Sequence, residues 1–362
     1  MNHQTGKLRA RDLGLPFPGV PGPHNAITDV PGVEVGFCTL TDPSQDLRTG
    51  VTAILPRGKA SQAIPVWAGH YALNGNGEMT GTHWIDDAGH FLGPILISNT
   101  HAVGACHTAA VTWMIETYAD HFRGDHAWAM PVVAETYDGV LNNINRLAVT
   151  PDHALEALAD AKGGPVREGS TGGGNGMICY EFKGGTGTAS RRLEIGPGYT
   201  VAALVQANFG IRPWLNILGK PIGQLMPESR LQETEMGSII GIIATDAPLS
   251  PVTLRAVAKR AALGIGRSGT PGGHNSGDIF LAFSTANPQP ITLRSDALRT
   301  MAELHPDHLD AVYLAAVEAV DEAVVNALVA GEDAPTVKPR GAICKAIDHE
   351  RLAAIFAADQ RP

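Results

Sequence analysis

The sequence predicts a layered α/β fold, on two observations. Short apolar runs bounded by Gly and Pro alternate with helical patterns, and several of those runs are apolar at nearly every position. A strand apolar on both faces needs cover on both, which helices flanking a sheet provide. Strands are predicted at residues 33–38, 51–55, 94–98, 131–135, 177–182, 201–206, 239–245 and 279–283. Helices are predicted at 102–121, and at 151–162 and 251–263, where Thr150 and Ser250 serve as N-caps and proline takes the first helical position. The longest helix, 307–330, stops before Gly331, a residue suited to a C-cap. Its charged residues Asp310, Glu318, Asp321 and Glu322 share one sector of about a third of the circle at ~100° per residue, so most of its surface is apolar and buried. There is no internal repeat, and only 219–236 has the composition of a linker.

At 362 residues the chain could hold one large domain or two, of which a single structural domain is expected, and 44% apolar residues are ample for an extensive core. Its 42 Gly and 25 Pro favour tightly turned strands over long bundles. A formal charge of -9 without a clustered basic surface argues against nucleic acid or an anionic membrane as partner. Cys38, Cys106, Cys179 and Cys344 are widely separated, form no C-x-x-C pair and read as reduced core residues. The polar, basic stretch 1–14 lacks the apolar run of a signal peptide, and no run of about 18 apolar residues follows anywhere, so a cytoplasmic protein is expected.

Several motifs fail when their context is tested. Gly264 to Gly269 matches the dinucleotide fingerprint by letter but follows a helix, where no helix N-terminus would meet a phosphate. Gly172 to Gly176 lacks the Lys-Ser/Thr of a phosphate loop and reads as a flexible turn or a backbone donor site. The 14 histidines show no ligand spacing, so neither metal nor cofactor is predicted, and no serine lies in a G-x-S-x-G elbow.

The junction Gly237-Ser238 closes a polar stretch and opens the apolar run Ile239 to Ala244. It reads either as a loop before a buried strand or as a point of self-cleavage that exposes a terminal serine. Such a serine has a hydroxyl nucleophile and a free amine of pKa about 7.7 to 8.0 that serves as its base.

Around this junction the chain resembles a known family. The run Gly237 to Leu249, the motif Asn275-Ser276-Gly277-Asp278 before Ile279 to Phe283, and the segments Ile27 to Val33, Gly77 to Gly81, Asn99 to Gly104, Val133 to Gly139, Gly172 to Met177 and Val205 to Gly210 are similar to those of the self-processing N-terminal-nucleophile serine aminopeptidases. That family comprises the L-aminopeptidase/D-amidase/D-esterase and the β-peptidyl aminopeptidases. The resemblance implies a four-layer α/β/β/α sandwich, cleavage at Gly237-Ser238 into subunits 1–237 and 238–362, and a homo-oligomer of two-chain protomers. It implies Ser238 as nucleophile, Ser276 and Asp278 as the groups that orient and tune it, and Asn208 as oxyanion donor. Tyr137 would line the same site, and Glu135 would receive the free amine of a small peptide or amide substrate. The acidic position takes Asp or Glu in such proteins, and Asp278 is the shorter by one methylene.

The physics of the residues is compatible with those roles. Serine is a poor nucleophile at neutral pH and needs a base, supplied by its own amine or relayed through Ser276 toward Asp278. Gly237 has no side chain to obstruct the turn that self-cleavage requires. Two rivals remain: an acyltransferase of the ornithine acetyltransferase type, which uses threonine at the scission point, and a binding module that never cleaves. The residues leave α-L-, α-D- and β-amino acyl substrates equally open.

Overall fold

The computed structural model describes residues 6–124, 126–290 and 297–358, so Met1 to Thr5 of the basic N-terminal stretch lie outside the described residues. Its strands are β1 (Glu34–Asp42), β2 (Leu47–Leu55), β3 (Val66–Ala72), β4 (His90–Phe91), β5 (Ile95–Asn99), β6 (Val132–Thr136), β7 (Ile178–Cys179), β8 (Phe182–Lys183), β9 (Gly185–Leu193), β10 (Tyr199–Asn208), β11 (Ser238–Thr245), β12 (Ile279–Ser284), β13 (Ala334–Val337) and β14 (Arg340–Cys344). Its helices are α1 (Thr82–Ala88), α2 (Val103–Thr117), α3 (Ala119–Gly124), α4 (Pro151–Asp160), α5 (Ile222–Leu225), α6 (Pro251–Arg267), α7 (Leu309–Val329) and α8 (His349–Ala357).

Two sheets stand at the centre, one ordered β1-β2-β5-β6 and the other β4-β3-β12-β11-β10-β9. Period-two alternation separates their faces. Ile54, Ile97 and Val132 of the first sheet share one buried cluster with Leu204, Ile242 and Leu281 of the second. On the outer face of the first sheet, Val51, Leu96 and Val133 pack with Cys106 of α2 and Leu158 of α4. On the outer face of the second, Ala203, Ile243 and Phe280 pack with Val257 of α6 and Val324 of α7. The order is therefore helix, sheet, sheet, helix, the four-layer sandwich expected. All four cysteines are buried and free, and burial pushes the Cys38, Cys106 and Cys344 thiols up to about 12.

The long C-terminal helix is a layer of the sandwich, and of its charged sector only Asp310 is exposed, while Glu318, Asp321 and Glu322 are buried. Glu318 and Glu322 of α7 pair with Arg191 of β9 at 3.2 and 2.8 Å, and Arg11 reaches Glu322 at 2.8 Å. Three expectations need correction. Residues 177–182 are not one strand: Tyr180 and Glu181 take positive φ (50° and 61°) and turn β7 into β8. The helix expected over 102–121 breaks at Tyr118 into α2 and α3. The glycines 172–176 form a buried 3-10 turn between the sheets, with the Gly172 and Gly173 N–H groups bonded to the Thr39 and Thr52 hydroxyls at 2.8 and 3.1 Å. They are buried, and these two backbone donors are spent on threonine side chains of the chain itself.

Strands β3 and β9 escaped the sequence reading because they are rich in small residues. The structure needs those residues there. A methyl group on Gly69 would stand 2.2 Å from the Arg255 nitrogen of α6, and one on Gly187 would stand 2.0 Å from the Ala323 oxygen of α7. Bare backbone at these points lets the helices lie on the sheet.

Candidate active site

Strand pairing brings distant segments to one edge. β10 and β11 are antiparallel, with Asn208 directly opposite Ser238. β11 and β12 are parallel and joined through α6, so their first residues, Ser238 and Ile279, start from the same side. β3 runs antiparallel to β12 and ends there too, delivering Asn74. Alternation along β11 places Ser238 on the side of Ile240 and Ile242, which face the other sheet.

Ser238 is 7% exposed, and its Oγ accepts a hydrogen bond from the Gly277 N–H at 2.9 Å. An oxygen held this way keeps its own proton free to leave toward a base. Beside it the Ser276 hydroxyl donates to Asp278 Oδ1 at 2.5 Å. That carboxylate also accepts from the Ile239 N–H at 3.2 Å and from Asn74 Nδ2 at 2.8 Å, while the Asp278 N–H returns a bond to Asn74 Oδ1 at 2.5 Å. Burial raises the Asp278 pKa, and the bonds from Ser276, Asn74 and Ile239 oppose the shift. Asp278 thus engages Ser276 and the backbone beside Ser238, a geometry within the reach of the shorter acid.

Asn208 is oriented by two bonds: Oδ1 accepts from the Ile178 N–H at 2.8 Å, and Nδ2 donates to the Tyr137 carbonyl at 2.9 Å. Tyr137, Asn208, Met236 and Gly237 line one cavity of about 470 Å³. Tyr137 is 38% exposed at its rim and folds over Gly139, where a methyl would lie 2.2 Å from the tyrosine hydroxyl oxygen. Gly237 packs so closely on β10 that a methyl there would stand 1.7 Å from the Asn208 carbonyl oxygen.

Glu135 comes from the other sheet. β5 and β6 are parallel, pairing Ser98 with Glu135, so Thr100 just beyond β5 meets the Glu135 carboxylate. Its Oε2 accepts from the Thr100 hydroxyl and its Oε1 from the Glu78 N–H at 2.9 Å. Burial raises its pKa, against the Thr100 and Glu78 bonds. Gly77 links this carboxylate to the serine edge: a methyl on Gly77 would lie 3.0 Å from Gly277 Cα and 3.4 Å from Glu135 Oε1. All six sequence-predicted side chains therefore gather around one edge, and the motif residues Gly77, Thr100 and Gly277 pack between them.

Sequence reasoning missed Asn74 as the clamp on Asp278, and missed Gly277 as the donor to Ser238. Asn74 carried no signal, since a loop asparagine is an ordinary turn residue. Gly277 lay inside a recognised motif but offers only its backbone. Among the described residues no group of three or more His, Cys, Asp or Glu is arranged to hold a metal ion, and no helix is long and apolar enough to cross a membrane. Gly264 to Arg267 of the apparent dinucleotide fingerprint lie inside α6.

Comparison with known proteins accords with this geometry. Peptidase family S58 matches residues 25–341. The chain is 47% identical to the β-peptidyl aminopeptidase BapA of Sphingosinicella microcystinivorans, over 98% of this chain and 93% of that protein. The L-aminopeptidase D-Ala-esterase/amidase from Ochrobactrum anthropi, described as a prototype for the serine aminopeptidases and a variant of the Ntn hydrolase fold, superposes with a TM-score of 0.93 at 54% identity, covering 98% of this chain and 99% of that one. A β-aminopeptidase from Burkholderia sp. superposes with a TM-score of 0.89 at 46% identity, covering 98% and 100%. With its fold, its family match and its relatives in agreement, the chain belongs to peptidase family S58, the N-terminal-nucleophile serine aminopeptidases.

Proposed function

We propose that the chain cuts itself at Gly237-Ser238 and then works as a cofactor-independent aminopeptidase and amidase on short substrates with a free N-terminal amine. In the first reaction Ser238 Oγ attacks the Gly237 carbonyl carbon. The C–N bond breaks as the ester C–O bond forms, and the hydroxyl proton passes to the Ser238 nitrogen, which becomes an amine. Water then opens the ester, leaving a Gly237 carboxylate and a restored serine hydroxyl. Residues 1–237 and 238–362 become separate subunits of one folded domain.

In the second reaction the same oxygen attacks the substrate's acyl carbonyl. Its proton goes to the new amine, or through Ser276 toward Asp278, and then to the departing amine; water releases the acyl-enzyme. Asn208 Nδ2 stabilises the tetrahedral oxyanion, Tyr137 walls the cavity, and the Glu135 carboxylate holds the substrate ammonium. A cavity of about 470 Å³ suits a short peptide or amide. The relatives named for β-peptidyl, L-aminoacyl and D-Ala ester or amide cleavage favour that class. Exposed apolar side chains on the outer face of α6, Val252 and Leu263, are compatible with a homo-oligomer.

One observation carries this reading. The Ser238 oxygen accepts the Gly277 N–H beside the Ser276–Asp278 pair, at the strand end opposite Asn208. Ser238→Ala tests it: a folded chain of 38.0 kDa without peptidase activity is expected. Fragments beginning at residue 238 in that variant, found by intact-mass analysis, would refute self-cleavage by this serine.

A further inference from the structure

From Pro227 to Gly237 every residue is exposed or half-buried except one, and that one is a carboxylate, Glu235, at 8% exposure. A buried charge in a surface segment is unfavourable unless it is held. Glu235 is held by hydrogen bonds to Oε1, while Oε2 has no hydrogen-bond partner among the described residues and is fixed by packing alone. Oε1 accepts from the Gly210 N–H at 2.8 Å and the Thr270 hydroxyl at 3.5 Å. Oε2 presses on Gly273, where a methyl would stand 2.2 Å from it.

Both anchors belong to the site. Gly210 follows Asn208 at the end of β10, and its φ of 81° turns the chain there. Gly273 opens the turn that carries Ser276, Gly277 and Asp278: its carbonyl accepts from the Ser276 N–H and from Asn74 Nδ2, each at 3.1 Å. The carboxylate therefore ties the segment entering the scissile bond to the oxyanion strand and to the relay turn together. Only Met236 separates it from Gly237, so the Gly237 Cα stays within about 7 Å of the anchored residue.

We propose that Glu235 is a positioning residue for self-cleavage, pinning the incoming segment so that the Gly237 carbonyl is presented to Ser238 Oγ. It touches neither reacting atom and acts through the backbone of Met236 and Gly237. The acyl shift it serves is the one described above, on whose reading the inference rests. Once the bond is cut its task is done, and peptide hydrolysis does not draw on it.

Cell-free synthesis of the full chain allows the conversion of the 38.0 kDa precursor into two fragments to be timed on denaturing gels, with intact masses identifying the products. Glu235→Gln keeps the shape and removes the charge. Gly273→Ala pushes the carboxylate off its seat without backbone strain, since Gly273 does not take positive φ. Both are expected to slow fragment appearance about tenfold or more. Processed Glu235→Gln should hydrolyse an aminoacyl p-nitroanilide with kcat and KM within about twofold of the parent. On the Ser238→Ala background, Glu235→Gln should shift the melting temperature by less than about 3 °C.

Cleavage of Glu235→Gln at the parental rate overturns the proposal. So does a large melting loss on the Ser238→Ala background, which would make Glu235 a support of the fold, or a parallel fall in kcat, which would make it part of the peptidase site. A wild-type chain that stays whole overturns self-cleavage and this proposal together, whereas wild-type cleavage with unslowed variants overturns this proposal alone.

Discussion

Replacing Glu135 by Gln keeps the side chain's shape and removes its charge, and the structure sets the size of the effect. The carboxylate spends one acceptor position on each oxygen, with the Glu78 N–H and the Thr100 hydroxyl, leaving further lone pairs for a substrate ammonium. Hydrogen bonds to charged groups contribute about 1.5–3 kcal/mol each against about 1 for neutral ones. Two such bonds weakened by substitution amount to a loss of about 1–4 kcal/mol, or ~5- to 1,000-fold in kcat/KM. Free-amine aminoacyl p-nitroanilides should lose that factor while N-acetylated analogues change little, so the preference between them collapses. An unchanged ratio would refute the amine-binding role.

The pH dependence of Glu135 gives a second handle. Burial raises its pKa, so the ammonium loses its ionised partner as pH falls through a value above the ordinary glutamate range. A raised carboxyl pKa also means that ionisation opposes folding at neutral pH and that this cost fades as the group protonates. On the Ser238→Ala background, Glu135→Gln should therefore melt no lower than its parent at neutral pH. Any advantage should vanish toward acid.

Three further outcomes are expected. Asn208→Ala should lower kcat by about 10²- to 10³-fold with little change in affinity, measured on chain already processed; a pure KM effect would contradict an oxyanion role. Asn74→Ala removes the bonds to both Asp278 Oδ2 and its N–H, one of which opposes the raised Asp278 pKa, so the acid limb of kcat should move to higher pH; an unmoved limb would dissociate Asp278 from turnover. Gly237→Ala should leave the 38.0 kDa chain uncut on denaturing gels, because its methyl would lie 1.7 Å from the Asn208 carbonyl oxygen.

The site was legible where chemistry is concentrated in a short motif. A serine at the mouth of an apolar strand stands out by context, though it reads equally as a loop before a buried strand. It and the Asn-Ser-Gly-Asp run before another strand took on their roles through the family resemblance. Asn74 does not stand out. Its partner Asp278 is 204 residues away, and nothing in its neighbourhood distinguishes it from a turn residue. The glycines at 172–176 misled for the opposite reason: small residues without side-chain signal read as a flexible turn or a backbone donor site, yet they are buried and the Gly172 and Gly173 N–H groups are taken up by Thr39 and Thr52. Glu235 lay within a segment whose composition suggested a linker, and only its contacts with Gly210 and Thr270 distinguish it from the exposed glutamates beside it.

Apolar runs, caps and turn residues specify where strands and helices form, since these depend on a few adjacent residues, and they reached as far as a layered α/β chain with a conspicuous serine. Which strand ends meet depends on pairing between segments far apart, and that is a property of the packed whole. Parallel pairing of β11 with β12 and of β5 with β6, antiparallel pairing of β10 with β11, and two sheets face to face bring Ser238, Asp278, Asn208 and Glu135 to one edge. Close approach is decided in the same way. Gly77, Gly237 and Gly273 each leave space for a neighbour contributed by another segment, and no local pattern records who that neighbour is.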